Sequence, residues 1–520
     1  MVASSRAPTL KRSAANQQGH KITPITNLLG RHGSHHMLLG MLAILPTGGL
    51  AISDPTGTIS LDVSQAVTIP EDSSWFAPGM IVLVDGVYEE EEESAGRGLG
   101  GSRGVGGLLG GRFQAFFVGQ PPCEKRKVTL GSTGPDGGQD HTIGGGFGWI
   151  DFLGVGSERA VGARMRKLEQ RLLRQHPSSP ESPGRGRIVV LGECNLDQPR
   201  TLQAVRKILT LYAAQPEGST PMTFVLAGNF TQHAAMARAS GGGSSGSIEY
   251  KESFDALAST LADFPTLLRT STFVFVPGDN DGWVSSFTAG AATPLPRKEV
   301  PAMFTSRIRR VFAAANAEPG AAAGADGEAI WTTNPSRLSL FGPAHEILLF
   351  RDDISARLRR TAVHLKGGSK KDLEDEEEPP ADDATMSGAL PAGEGEDAAD
   401  AMDVDPDPEK EREKAPAAPA IPHDTIAARK LVKTLLDQGY LSPFKQATRP
   451  VHWDYSTALH LYPLPTALVL VDTTAPSFCI TYEGCHVMNP GSVLVPGRKG
   501  VGRWIEYEVG RVGKLMECAL

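Results

Sequence analysis

Three apolar segments of this chain each run into carboxylates and amides: Ile188–Asn195 (IVVLGECN), Thr223–Gln232 (TFVLAGNFTQ) and Thr272–Asp281 (TFVFVPGDND). Oxygen and nitrogen ligands gathered from several strand ends are what a pair of divalent cations needs, since two adjacent ions require a full set of donors and a bridging one. Such a pair polarises a phosphoryl oxygen and lowers the pKa of an attacking water. The positions that would serve this chemistry are Glu193, Asn195, Asn229, Gln232, Asp279, Asn280, Asp472 and Thr474, and none of them is a histidine. Amides bind metal weakly, and Asn229 is neutral where a bridging carboxylate would stand. The set therefore reads as vestigial, with no catalytic residue, no metal and no cofactor expected. A single ion on Glu193, Asp279, Asp281 or Asp472 is the most that these donors suggest. His233, His345, His460 and His486 fall outside the pattern, and the carboxylates are expected to cap turns and to solvate the cleft.

The composition limits the other classes. The 520 residues, 40% of them apolar, suffice for two or three domains. No run of about 18 apolar residues is present, so no membrane helix is expected. The first twenty residues (MVASSRAPTLKRSAANQQGH) lack the apolar core of a secretory signal. Five scattered cysteines predict neither a disulfide framework nor a zinc site, and favour a reducing compartment. The net charge of −8 is uneven: Asp372–Glu413 holds 18 acidic and two basic residues, leaving about +8 for the remainder. With almost no apolar residues, that segment cannot offset its ordering entropy and is expected to be disordered. A mildly basic remainder suits a nucleic-acid neighbourhood without proving contact.

The elements that must position these residues follow from periodicity. Residues 1–25 are expected to be disordered, and 26–125 to hold five short strands. These are Met37–Leu45, Leu50–Ser53, Thr58–Val63, Met80–Tyr88 and Arg112–Gly119, with turns at Thr47-Gly48-Gly49 and Asp54-Pro55-Thr56-Gly57. Five strands over this length suit an OB-type barrel, with Glu89–Gly111 as a loop between the last two. The barrel aromatics Tyr88, Phe113, Phe116 and Phe117 have only Arg112 as a nearby cation, which favours packing over base stacking. Residues 126–186 read as a Gly-rich linker that includes a basic helix at Ser157–His176.

From Arg187 strands feed helices, with helices predicted near Arg200–Ala213, Ser253–Leu268 and Pro301–Ala315. A strand-rich part follows at Arg337–Leu340, Glu346–Phe350 and Ala467–Val471, and a further helix, Ile426–Gln438, is closed by Gly439. The pattern predicts a layered α/β sandwich over 187–366 and 421–520, interrupted by an acidic insertion at 367–420.

The strand ends resemble those of dinuclear phosphoesterases, whose motifs run D-x-H, G-D-x-x-D/N, G-N-H-D/E and G-H-x-H before an N-P-G-S turn. Here the frame stays and the contents change: Glu193-Cys194-Asn195, Gly228-Asn229-Phe230-Thr231-Gln232, Gly278-Asp279-Asn280-Asp281 and Asp472-Thr473-Thr474, with Asn489-Pro490-Gly491-Ser492 retained. Further segments carry a closer likeness: SDPTGTISLDV within Leu39–Val63, FVLAGNF at Phe224–Phe230 and FVFVPG at Phe273–Gly278. So do WTTNPSR (Trp331–Arg337), EILLFRD (Glu346–Asp352), Leu431–Pro443 and VHWDYSTALHLYPLP (Val451–Pro465). Over roughly Ile25 to Ser492 the chain resembles the B-subunit family of replicative DNA polymerases, within it the polymerase epsilon branch.

That resemblance implies an OB-fold barrel followed by an inactivated calcineurin-like metallophosphoesterase α/β sandwich. It implies a nuclear, non-catalytic accessory subunit in DNA replication. Its partners would be the catalytic subunit of DNA polymerase epsilon, through that subunit's zinc-containing C-terminal domain, and the other polymerase epsilon subunits, with DNA as part of the complex and no membrane. Family members also carry a small helical N-terminal domain linked to contact with the GINS part of the replicative helicase. Only about 25 residues precede the barrel segment, so that contact is not expected of these residues. The alternatives are an active metal-dependent phosphodiesterase or nuclease, or the equivalent accessory component of polymerase alpha or delta.

Overall fold

The computed structural model describes residues 21–69, 74–90, 107–129, 186–216, 219–234, 245–282, 293–317, 327–340, 345–365 and 422–520. The expected basic helix at Ser157–His176, most of the Glu89–Gly111 loop and the acidic insertion lie outside the described residues.

The first unit is a closed barrel. Its strands are β1 (His35–Ile44), β2 (Leu50–Asp54), β3 (Gly57–Asp62), β4 (Val67–Ile69), β5 (Ile81–Glu89) and β6 (Leu108–Gly119). Antiparallel pairing links β3, β2, β1, β5 and β6 in that order, and a parallel β3–β6 pairing closes the ring. Alternate residues point inward, so Leu38, Leu42, Ile52, Ile59, Val82, Val84, Tyr88 and Phe113 fill the barrel. The short β4 pairs parallel with the end of β6 (Val67 with Phe117, Ile69 with Gly119) and was not legible as a strand. The Asp54 carboxylate accepts hydrogen bonds from the N–H groups of Thr56 (2.7 Å), Gly57 (2.9 Å) and Ile25 (2.8 Å). One side chain thus sets the β2–β3 turn and anchors the segment before β1. The expectation of disorder through residue 25 is corrected accordingly: Ile22 bridges to Met37 and Ile25 is buried in the barrel core.

The second unit is a sandwich of two sheets. In the first, β7 (Arg187–Leu191), β8 (Thr223–Ala227), β9 (Thr272–Val276) and β10 (Ala329–Trp331) run parallel, with β16 (Val501–Glu508) and β17 (Lys514–Ala519) antiparallel beyond β7. The second sheet has the order β11 (Ser336–Leu340), β12 (His345–Arg351), β13 (Ala467–Val471), β15 (Cys485–Asn489) and β14 (Phe478–Tyr482). Strands covered on both faces are continuously apolar, and every residue of β7, β8 and β13 is buried. Parity assigns the two faces. Val190, Val225, Val274, Leu349 and Val469 meet between the sheets. Leu191, Phe224, Phe273 and Phe275 pack instead against helices α2 (Pro199–Ala213), α3 (Ser245–Leu261) and α5 (Ala302–Asn316).

The barrel sits on the outer layer of the second sheet. Helix α7 (His423–Gln438) ends at Gly439, whose φ of 62° permits the left-handed cap. Its last turns meet the barrel: Thr434 Oγ1 accepts from Trp75 N (2.9 Å), while Gln438 exchanges two hydrogen bonds with the Ile81 backbone (2.9 and 2.8 Å). Ala77 and Met80 join the core formed by Leu348, Leu431, Leu435 and Leu468. Gly79 (φ 107°) makes this approach possible, because a Cβ there would lie 2.9 Å from the Phe444 carbonyl carbon. The expected linker also starts later than residue 126. Residues Arg126–Thr129 form one helical turn, α1, and the buried Arg126 donates to the Leu464 carbonyl (3.0 Å) and pairs with Glu346 (3.5 Å).

The helix predicted at Ser253–Leu268 is two, α3 and α4 (Pro265–Thr270), because proline lacks the N–H that would continue the ladder and pushes the residue before it out of the helical region. Short strands were missed too; β17 (KLMECA) is an exposed edge with no alternation to betray it.

Val274 lies between the sheets, 1% exposed. Replacing it with Asp strands a charge there, so Val274→Asp is expected to destabilise by more than about 4 kcal/mol in urea unfolding. A loss below about 1 kcal/mol would show that this face is not the dry core described.

Candidate functional site

The carboxyl ends of β7, β8 and β9 in one sheet open onto those of β12 and β13 in the other. The Asn489–Ser492 turn closes over the first of these loops so tightly that a Cβ at Gly192 would collide with the Gly491 carbonyl.

Glu193 follows β7 with φ at 41°, in the left-handed region. Its carboxylate faces Arg351, which closes β12: Nη2 lies 2.7 Å and Nε 3.0 Å from Oε2. The same carboxylate accepts Asn229 N (3.1 Å) and Asn229 Nδ2 (2.9 Å), while Asn195 Nδ2 donates to the Asn229 carbonyl (2.8 Å). Asn229 Oδ1 in turn accepts Asn280 N (2.9 Å), and Asn280 Nδ2 donates to the carbonyls of Thr231 (3.1 Å) and Gln232 (2.8 Å). The Gln232 side chain is exposed, and its backbone N–H donates to Asp197 (3.0 Å).

A second charged group is deeper. Asp279 pairs with Arg449 (2.6 Å) and, more distantly, with Arg357 (3.8 Å), and both arginines also reach Asp352 (3.2 Å each). Arg449 is fully buried and Asp352 nearly so. Asp281 accepts Gly278 N (2.7 Å), Phe230 N (3.0 Å) and the Tyr250 hydroxyl (3.1 Å), and Arg297 donates to its backbone carbonyl. Asp472 accepts Ser355 N (2.8 Å), Thr474 N (2.8 Å) and Thr474 Oγ1 (2.7 Å), so it joins the start of α6 (Ile354–Thr361) to its own turn.

Electrostatics follow from burial. Desolvation pushes the Asp281 carboxyl up to about 6, although the N–H groups of Gly278 and Phe230 and the Tyr250 hydroxyl pull it down. Burial would lower Arg351, yet Glu193, Asp353 and Asp279 outweigh it and hold the guanidinium above its ordinary range. Burial likewise acts to raise Asp353, but Arg351 and hydrogen bonds from Thr473 keep it below the usual carboxylate value.

Seven of the eight anticipated positions hold one another or the neighbouring turns, directly or through these arginines; Gln232 contributes only backbone. The expectation that the carboxylates solvate a cleft is corrected: Asp279, Asp281 and Asp472 are at most 5% exposed and are held by guanidinium, N–H and hydroxyl donors. His460 packs on Tyr440, His486 bonds Thr481 (2.7 Å), and His233 is exposed. Among the described residues no group of three or more His, Cys, Asp or Glu converges as a metal site. Sequence reasoning missed Arg297, Arg351, Arg357, Arg449 and Asp352. Arg351 carried a signal, since it directly follows the apolar run Ile347–Phe350 (ILLF) and a buried arginine needs a partner. Arg449 lies in a loop and carried none. As it stands, the arrangement cross-links strand ends across two sheets.

Two family profiles match the chain. One, described as the B subunit of DNA polymerase alpha/epsilon, covers residues 188–480, and the other, described as DNA polymerase epsilon subunit 2-like, OB-fold domain, covers residues 3–122. Among curated relatives, the DNA polymerase epsilon B subunit of Saccharomyces cerevisiae is 32% identical over 486 residues, 94% of this chain and 59% of that protein. The Schizosaccharomyces pombe protein of the same name is 30% identical over 95% of this chain and 64% of its own length. DNA polymerase epsilon subunit 2 of Mus musculus is 24% identical over 88% of this chain and 61% of its own length. The chain thus spans about three-fifths of the length of these relatives.

Two outcomes are expected of the site. Arg449→Met leaves Asp279 and Asp352 short of a buried counter-charge and is expected to cost about 3–5 kcal/mol in urea unfolding; a loss under about 1 kcal/mol would contradict the geometry. Asp281 holds its proton more tightly when folded than when unfolded, so it contributes stability at low pH that is lost as pH rises from about 4 through about 6. The difference in unfolding free energy between wild type and Asp281→Asn is therefore expected to fall across that window, and a flat or rising difference would refute the assignment.

Proposed function

The chain belongs to the B-subunit family of DNA polymerases alpha and epsilon, and on that premise we propose that it is a non-catalytic accessory subunit of DNA polymerase epsilon. In this reading it works in the nucleus and scaffolds the C-terminal, zinc-containing domain of the catalytic subunit, alongside the other epsilon subunits and DNA. Its sandwich is a calcineurin-like phosphoesterase fold in which the metal site has decayed at Glu193, Asn195, Asn229, Gln232, Asp279, Asn280, Asp472 and Thr474.

The observation that carries the reading is the pairing of Arg351 with Glu193 and of Arg449 with Asp279. Guanidinium groups cannot shed their charge in a protein. Two divalent cations brought beside them would meet like charge and carboxylate oxygens already engaged, so the donor set does not fit a dinuclear centre. What the arrangement supplies is a rigid body. Barrel and sandwich share one core through Ala77 and Met80, which suits a platform that presents two surfaces at fixed spacing.

Co-expression of the full chain with the C-terminal domains of the polymerase epsilon, alpha and delta catalytic subunits tests this. A one-to-one complex with the epsilon domain is expected, with no manganese-dependent cleavage of bis(p-nitrophenyl) phosphate. Preference for the alpha or delta domain would reassign the partner. Two bound manganese ions with turnover would overturn the scaffold reading.

A further inference from the structure

We infer that the barrel carries a phosphate-binding pocket for single-stranded nucleic acid, built from Lys21 and Arg31 beside the start of β1. A cavity of about 390 Å³ opens there, and its lining includes Lys21, Thr23, Arg31, His35, His36 and Asp85. The one acid is already engaged, since Asp85 pairs with His35 Nδ1 at 3.3 Å. Neither Lys21 nor Arg31 has a carboxylate partner among the described residues. Among the described residues that line the pocket, Lys21 and Arg31 are thus positive charges without a paired carboxylate, and such charges draw an anion.

The backbone under these cations is fixed. Thr23 N donates to the Met37 carbonyl (2.8 Å), which lays the segment carrying Lys21 along β1. Arg31 N donates to the Leu28 carbonyl (3.0 Å) and Ser34 N to the Arg31 carbonyl (3.1 Å), with Gly30 and Gly33 at positive φ on either side. The Ser34 hydroxyl gives its single proton to the Arg31 carbonyl (2.5 Å), so toward His36 it can only accept. His36 Nε2 is then the donor to Ser34 (2.7 Å), and Nδ1 lies 3.3 Å from the Thr23 hydroxyl. These two contacts hold His36 as a wall of the pocket. Burial first, and then the charges of Arg31 and His35, hold its pKa below the ordinary value, the sign expected of a positive field. Lys21 and Arg31 remain to meet a ligand.

An aromatic surface adjoins the charge. His35 stacks on Phe116 with ring centroids 6.2 Å apart and planes at 17°. Cationic groups beside a flat aromatic pair are the two components by which proteins hold single strands without sequence preference. The pocket lies at the start of β1 and on β5, away from the β2–β3 face by which OB barrels usually take a strand. The choice of nucleic acid over other anions rests on the polymerase-subunit reading, whereas the charge and geometry of the pocket do not.

The test uses the full chain and a fluorescent oligodeoxynucleotide of about 20 thymidines, followed by anisotropy across a salt series. Lys21→Ala/Arg31→Ala is expected to weaken binding about tenfold and to reduce the slope of log K against log salt by about 1.4, near 0.7 for each lost phosphate contact. Lys21→Arg/Arg31→Lys keeps the charge and is expected to bind as wild type. Arg307→Ala/Arg310→Ala, on the exposed face of α5, is expected to change nothing. Unchanged binding by the double alanine variant, or no binding by wild type, overturns the proposal. Tighter binding of a phosphoserine peptide at the same residues overturns the nucleic-acid assignment. Capture of the epsilon catalytic domain by these variants reports separately on the scaffold reading.

Discussion

Taking a carboxylate out of water without a counter-charge costs several kcal/mol, and this chain buries Asp279, Asp352 and Asp472 where its two sheets meet. The structure meets that cost in two ways. Arg449 and Arg357 neutralise Asp279 and Asp352, while backbone N–H groups and a threonine hydroxyl satisfy Asp472. Arg351 does the same for Glu193 from the opposite sheet. The Arg351–Glu193 and Arg449–Asp279 pairs join segments that no backbone ladder connects, so the register between the sheets depends on these contacts as well as on the apolar layer between them. Charge that a metalloenzyme would obtain from ions comes here from side chains that are always present.

A body held in this way is suited to positioning partners. The barrel docks through Trp75, Gly79 and Ile81 onto α7 and Phe444, and Arg126 reaches back into the second sheet at Leu464 and Glu346. These contacts lie far apart in sequence, so neither unit places its surfaces alone. A partner that touches both barrel and sandwich reads a distance set by the seam.

Much of this was legible beforehand. Period-two alternation in Thr58–Val63 and the apolar stretch at Met80–Tyr88 placed barrel strands, and the apolar runs at Ile188, Thr223 and Thr272 placed the parallel core, because burial on both faces leaves little choice of residue. Strand ends were legible from the glycines and amides that follow them. What escaped was tertiary in origin. Pro265 splits a helix whose apolar spacing continues across it, β17 is an exposed edge without a pattern, and Arg449 acquires its role only when a loop folds over Asp279. The depth of the carboxylates escaped for the same reason, since their counter-charges come from segments 158 and 170 residues away.

The most direct test of the account is a double-mutant cycle on Glu193 and Arg351, with Glu193→Gln, Arg351→Met and the pair measured by urea unfolding at pH 7. If the guanidinium replaces cationic charge at the strand ends, each single change leaves a charge or a donor buried without its partner, and the double change relieves part of that loss. A coupling of about 2–3 kcal/mol is expected. Additivity within about 0.5 kcal/mol would mean that the two residues are neighbours without consequence, and the cross-linking account would fail.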